Sequence, residues 1–132
     1  MTGITENKGI YLLSIDLEDV RMGIPNGEKY KERVPFLINK YLELFDKNKI
    51  KITFFVVGLV AEKYPSLIKM IYDEGHEIAC HSFEHKYPID KTTKELFRTD
   101  LMKNIEILLK NGVKNVIGYR APSYSLVEKT NN

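Results

Sequence analysis

Hydrophobic positions alternate along the chain between short apolar runs and stretches with three- and four-residue spacing. Ile10 to Ile15 is nearly all apolar, as expected of a strand buried on both faces. The polar stretch Met22 to Arg33, bearing glycine and proline, reads as loop. Val34, Leu37, Ile38, Tyr41, Leu42 and Phe45 then recur at helical spacing. Ile52 to Val57 is rich in β-branched and aromatic residues and predicts a second strand. A helix is expected from about Leu59 to Glu74, with Pro65 opening a new segment at its first turn and Gly75 as its cap. Glu77 to Cys80 predicts a third strand. Thr92 followed by Glu95 forms a capping-box pattern that opens a helix with Phe97, Leu101, Ile105 and Leu108 as its buried stripe, ended by Gly112. Asn115 to Tyr119 predicts the fourth strand, ending at Arg120. Four β-then-α units in series imply an α/β fold with a parallel sheet and right-handed crossovers.

Composition narrows the function classes. The 132 residues suffice for one domain with a real core, so residues 1–132 are expected to form a single domain. Hydrophobic content of 43% and charged content of 29% suit a globular protein. The net charge of +2 is spread without a basic patch, which gives nucleic-acid binding no support. A single cysteine, Cys80, excludes an internal disulfide. No apolar run approaches the roughly 20 residues that a membrane span needs. Met1 to Lys8 lacks the apolar core of a secretory signal, and the expected localisation is cytoplasmic.

The candidate chemistry lies at the C-terminal ends of the predicted strands, the edge where parallel α/β proteins build their sites. Asp16 follows the first strand, His81 the third and Arg120 the fourth. His81 and His85 stand four residues apart, about one helical turn, so both imidazoles can face one ion from a turn or a nascent helix. Asp16-Leu17-Glu18-Asp19 crowds three carboxylates at one strand end, which is unfavourable unless a cation or arginine compensates them. One carboxylate with His81 and His85 makes a three-ligand set with open positions, the pattern of a catalytic metal site. A second carboxylate can serve as general base, and Arg120 can orient it and hold it ionised. His76 reads as structural, and Cys80 as a packing residue.

These segments resemble the polysaccharide deacetylases, the family four carbohydrate esterases that share the nodulation-deacetylase homology domain. Ser14-Ile15-Asp16-Leu17-Glu18-Asp19 is similar to the T-F-D-D motif, and Thr53-Phe54-Phe55-Val56-Val57-Gly58 to the second strand. Gly75-His76-Glu77-Ile78 with His81-Ser82-Phe83-Glu84-His85 resembles the H-[ST]-x-x-H metal motif, and Arg120-Ala121-Pro122-Ser123-Tyr124-Ser125 the R-x-P motif. The resemblance covers Ile10 to Ser125. It implies parallel β/α units that form part of an irregular (β/α)7 barrel. It also implies a divalent metal ion, zinc first with cobalt, nickel or iron as alternatives, and an N-acetylated carbohydrate substrate.

By the same resemblance Asp16 is the general base, His81 and His85 are metal ligands, and Arg120 orients Asp16. The main-chain N–H of Ser123 helps to hold the oxyanion, and Tyr124 is a candidate for the sugar site. The third ligand comes from D-L-E-D, where one extra residue separates the acids. Strand alternation favours Glu18, with Asp19 as second choice. The family's late Leu-x-His general acid and its Asp- and Trp-containing motif have no counterpart among three histidines and no tryptophan. The chain is therefore expected to be the N-terminal part of a longer deacetylase. Four strands of about seven would leave exposed sheet edges that favour self-association. The alternatives are a non-catalytic metal-binding domain and an amidohydrolase acting on a non-sugar amide such as a ureide.

Overall fold

The computed structural model describes residues 9–86 and 88–128. The N-terminal segment 1–8 read for a secretory signal lies outside the described residues, as does 129–132. Four strands, β1 (Ser14–Leu17), β2 (Thr53–Val56), β3 (Glu77–Cys80) and β4 (Val116–Tyr119), form one parallel sheet in the order β1-β2-β3-β4. The helices are α1 (Val34–Asn48), α2 (Gly58–Lys63), α3 (Pro65–Asp73) and α4 (Lys94–Lys110). Each crossover steps to the next strand in one direction, which is the winding of a barrel section. The four units have the winding expected for part of an irregular (β/α)7 barrel.

One face of the sheet is packed by helices. Phe54, Val56, Ile78 and Cys80 point into that layer and are fully buried among Ile38, Leu42 and Phe45 of α1, Ile68 and Ile71 of α3, and Leu108 of α4. Burial pushes the Cys80 thiol up to about 12 and the Tyr119 hydroxyl to about 12, so both stay neutral there. His76 is also buried; its Nδ1 accepts the N–H of Ile52 at 3.2 Å, and its ring meets Phe45 and Phe54. Burial lowers its pKa, with Lys51 adding to the shift. Its structural reading holds, as does the packing role of Cys80.

Several expected boundaries move. β1 starts at Ser14 rather than Ile10, because its ladder with β2 begins at Ser14↔Thr53. Ile10, Tyr11 and Leu12, without a strand to pair with, are exposed. The α1 stripe is narrower than its spacing suggests: Leu37 and Tyr41 are exposed, while Val34, Ile38, Leu42 and Phe45 are buried. α4 is capped by Thr93, whose hydroxyl accepts from Leu96 N–H at 3.2 Å; the Thr92 hydroxyl is turned inward. Its inward stripe holds Leu108 and, in place of a hydrophobe, the fully buried Asn104, while Leu101 and Ile105 are half-buried. Gly75 (φ 82) and Gly112 (φ 90) end α3 and α4 in the left-handed conformation that suits glycine.

Candidate metal and catalytic site

The other face of the sheet carries the polar side chains, and the site forms where that face meets the C-terminal strand ends. On β1, alternation sends Leu17 into the helix layer and leaves Ser14, Asp16 and Glu18 on the open side. His81 leaves β3 directly, its N–H donating to Val56 O at 3.0 Å. Residues 82–85 do not form a helical turn. Ser82 (φ 65) and His85 (φ 58) adopt left-handed backbone instead, and His85 N–H donates to Ser82 Oγ at 3.1 Å. The two imidazoles come together through this bent loop, with ring centroids 4.8 Å apart.

Arg120 reaches the open side through a register shift. Ile78 pairs with Val116 but Cys80 pairs with Tyr119, so β4 carries one extra residue between these points. Regular alternation from Val116 would send Arg120 to the helix layer. The bulge turns Tyr119 that way instead, against Phe97 of α4, and aims Arg120 at the opposite face.

Glu18, His81 and His85 offer ligand atoms that all lie within 4.8 Å of one another. Glu18 Oε2 and His85 Nε2 are 3.1 Å apart. His81 Nδ1 lies 2.8 Å from the Arg120 carbonyl, which can only accept. Nδ1 must therefore carry the proton, which leaves the Nε2 lone pair free toward the cluster. That Nε2 is 3.6 Å from Asp16 Oδ2. One carboxylate and two imidazoles in this arrangement fit a single divalent ion.

Asp16 stays outside the ligand trio and is paired instead with Arg120, Nη1 to Oδ1 at 2.5 Å. The same guanidinium donates to Ser14 Oγ at 2.9 Å and lies over the Phe55 ring at 3.8 Å. Asp19, the second candidate ligand, is engaged elsewhere. It is nearly buried, caps the 3-10 turn Val20–Gly23, and accepts from Arg21 Nε and Nη2 at 2.9 and 2.5 Å. These bonds hold its carboxyl below the usual carboxylate range.

Ser123 (φ 56) and Tyr124 (φ 53) sit on an exposed turn whose base is pinned by Ser125, its hydroxyl donating to Pro122 O at 2.6 Å and accepting from Ile89 N–H at 2.9 Å. Together with Asp16, Glu18, His81, His85 and Arg120 they line a hollow of about 200 Å³. A second hollow of about 330 Å³ adjoins Glu18 and His85 and is walled by Val20, Met22, Ile24 and Val57. The sequence reading missed Asn104, Asp100 and Ser14, all bound to this site or its loop. Only Ser14 had a readable signal, since it shares the open face of β1 with Asp16.

The polysaccharide deacetylase family profile matches residues 29–132. The chain belongs to the polysaccharide deacetylase family. It is 34% identical over 94 residues to the peptidoglycan deacetylase of Helicobacter pylori, covering 71% of this chain and 32% of that protein. Among solved structures it is similar to a peptidoglycan N-acetylglucosamine deacetylase (29% identity, TM-score 0.64), covering 70% of this chain and 43% of that one. It is also similar to the CE4 family pseudoenzyme of Bacillus anthracis (25% identity, TM-score 0.65), covering 70% and 33%. The chain thus spans about a third of the length of the Helicobacter relative. No helix among the described residues is long and apolar enough to cross a membrane.

Proposed function

We propose that this site removes N-acetyl groups from amino sugars of a polysaccharide or its precursor, with a divalent metal ion held by Glu18, His81 and His85. The observation that carries the reading is the convergence of those three ligand atoms within 4.8 Å beside a carboxylate clamped by an arginine. Such an ion would supply Lewis-acid polarisation of the acetamide carbonyl. The donor set suits zinc, and also cobalt, nickel or iron.

The residues divide the remaining work. Asp16 accepts the proton of the attacking water as that oxygen bonds to the carbonyl carbon. Arg120 keeps Asp16 aimed, and its stacking on Phe55 fixes the guanidinium. The Ser123 N–H donates to the developing oxyanion. The C–N bond then breaks, the amine nitrogen takes up the proton that Asp16 accepted from the water, and acetate remains. The peptidoglycan deacetylases among the relatives support an N-acetylated glycan as the substrate class.

The pseudoenzyme among the structural relatives favours a second reading, metal binding without turnover. Acetate release from N-acetylglucosamine oligomers, measured on metal-loaded protein beside Asp16→Asn and His81→Ala/His85→Ala, separates the two. Release abolished by both changes supports deacetylation. Tight metal binding with no release supports the second reading.

A further inference from the structure

The loop between the two histidines is held by hydrogen bonds from α2 and α4, neither of which contributes a ligand atom to the metal cluster. Asp100 and Asn104 stand four residues apart and so share one face of that helix. Both Asp100 carboxylate oxygens accept from the Phe83 N–H, at 3.1 and 3.0 Å. Asn104 donates one amide proton to Ser82 O at 2.6 Å and one to Val56 O at 3.0 Å, joining the loop to the end of β2. Ser82 O also accepts from the Gly58 N–H at 3.0 Å, and Phe83 O from the Leu59 N–H at 2.9 Å. These polar contacts fall on residues 82 and 83, between His81 and His85.

Two features mark this arrangement as more than packing. Asn104 is fully buried on the core-facing stripe, where a leucine would give apolar contact with no polar group to satisfy. Ser82 and His85 hold left-handed backbone that L-residues rarely adopt, and such residues persist only where their surroundings over-determine them. From this geometry we infer that Asp100 and Asn104 are positioning residues of the His81–His85 loop, setting the distance and angle between its imidazoles for one divalent ion. The inference rests on the metal reading proposed above. Asn111 supplies an internal control. It caps the C-terminal end of the same helix and makes the same kind of bond, Nδ2 to Ala61 O at 2.7 Å, but away from the loop.

The test is a Co²⁺ titration of the chain, followed by calorimetry and visible absorption, for wild type, Asp100→Ala, Asn104→Ala and Asn111→Ala. Asp100 is only half-buried, so its variant keeps the test alive if Asn104→Ala does not fold. The expected result is Co²⁺ binding weaker by roughly tenfold to a hundredfold in Asp100→Ala and Asn104→Ala, with shifted absorption bands, and unchanged binding in Asn111→Ala. Wild-type binding in the first two, or an equal loss in Asn111→Ala, overturns the assignment. Amide hydrogen exchange at Phe83 and His85 in metal-free protein gives an independent reading. It should quicken in the Asp100 and Asn104 variants and not in Asn111→Ala, and exchange unchanged in the first two overturns the positioning role. A wild-type chain that takes up no Co²⁺ overturns the metal reading, and the exchange data then decide the loop's positioning alone.

Discussion

Arg120 binds Asp16 across the full width of the sheet. The two residues lie 104 positions apart at the ends of opposite edge strands, yet their side chains meet at 2.5 Å. The guanidinium bridges the gap by lying over Phe55 of β2 and adding a bond to Ser14. A charge pair that spans strands 1 and 4 on the open face ties sheet curvature to the orientation of the proposed base.

Lysine cannot reproduce this set of contacts, because an ammonium neither stacks flat on an aromatic ring nor donates in a planar fork. Arg120→Lys is expected to lower kcat/KM for acetate release by about a hundredfold, the lower part of the range for misplacing a general base. Metal content should be unchanged, since Arg120 offers no ligand atom. Steady-state assays with elemental analysis check this, and near-normal turnover would remove Arg120 from the mechanism.

Glu18 and Asp19 are neighbours with opposite expected behaviour. Glu18→Gln removes a proposed ligand and should weaken metal binding by at least the roughly tenfold to hundredfold seen for outer-shell changes. Asp19→Asn should leave metal affinity intact but lower the urea midpoint, because the Val20–Gly23 turn loses the carboxylate that caps it and pairs with Arg21. Metal titration and urea unfolding of both variants decide between the two acids. A loss of metal from Asp19→Asn alone would reverse the assignment.

Gly58 is the point where α2 meets the metal loop. A Cβ there would lie 2.2 Å from Phe83 Cδ2 and 2.9 Å from Phe83 Cα, which is main chain and cannot yield cheaply. Gly58→Ala should therefore displace the loop, costing about 1–3 kcal/mol by overpacking and weakening metal binding at the same time. Urea melts beside a metal titration report both, and an unperturbed variant would mean the loop has slack that the geometry does not suggest.

Much of this site was readable in the sequence because its residues sit at strand ends with period-two alternation. Ser14 and Asp16 on the open side follow from β1, and Glu18 continues the same alternation just past the strand end. Arg120 lies where the motif suggested, but its aim depends on the extra residue in β4, and no residue in Val116-Ile117-Gly118-Tyr119 announces a bulge. The expectation of a turn or nascent helix at His81–His85 failed for a related reason. Left-handed Ser82 and His85 are non-glycine residues held by a local bond, His85 N–H to Ser82 Oγ, and a distant one, Asn104 to Ser82 O. Asn104 was invisible because its partners, Ser82 O and Val56 O, are main-chain atoms 22 and 48 residues away.

His76 gives the fold a pH dependence that can be isolated from the metal site. Its ring must be neutral for Nδ1 to accept from Ile52 N–H, and protonation would set two donors against each other. Burial, with Lys51 as the charged group acting on it, holds its pKa below the ordinary 6.5. The unfolded chain then binds the proton more readily, so this share of stability is complete above pH 6.5 and is lost as pH falls through that value. His76→Phe keeps an aromatic between Phe45 and Phe54 but leaves Ile52 N–H unpaired, costing about 1–3 kcal/mol near neutral pH. Urea midpoints between pH 7.5 and 5.5 should fall for the wild type and fall less steeply for His76→Phe, so that the two curves converge on the acid side. Parallel curves would show that the buried imidazole is not the group that titrates.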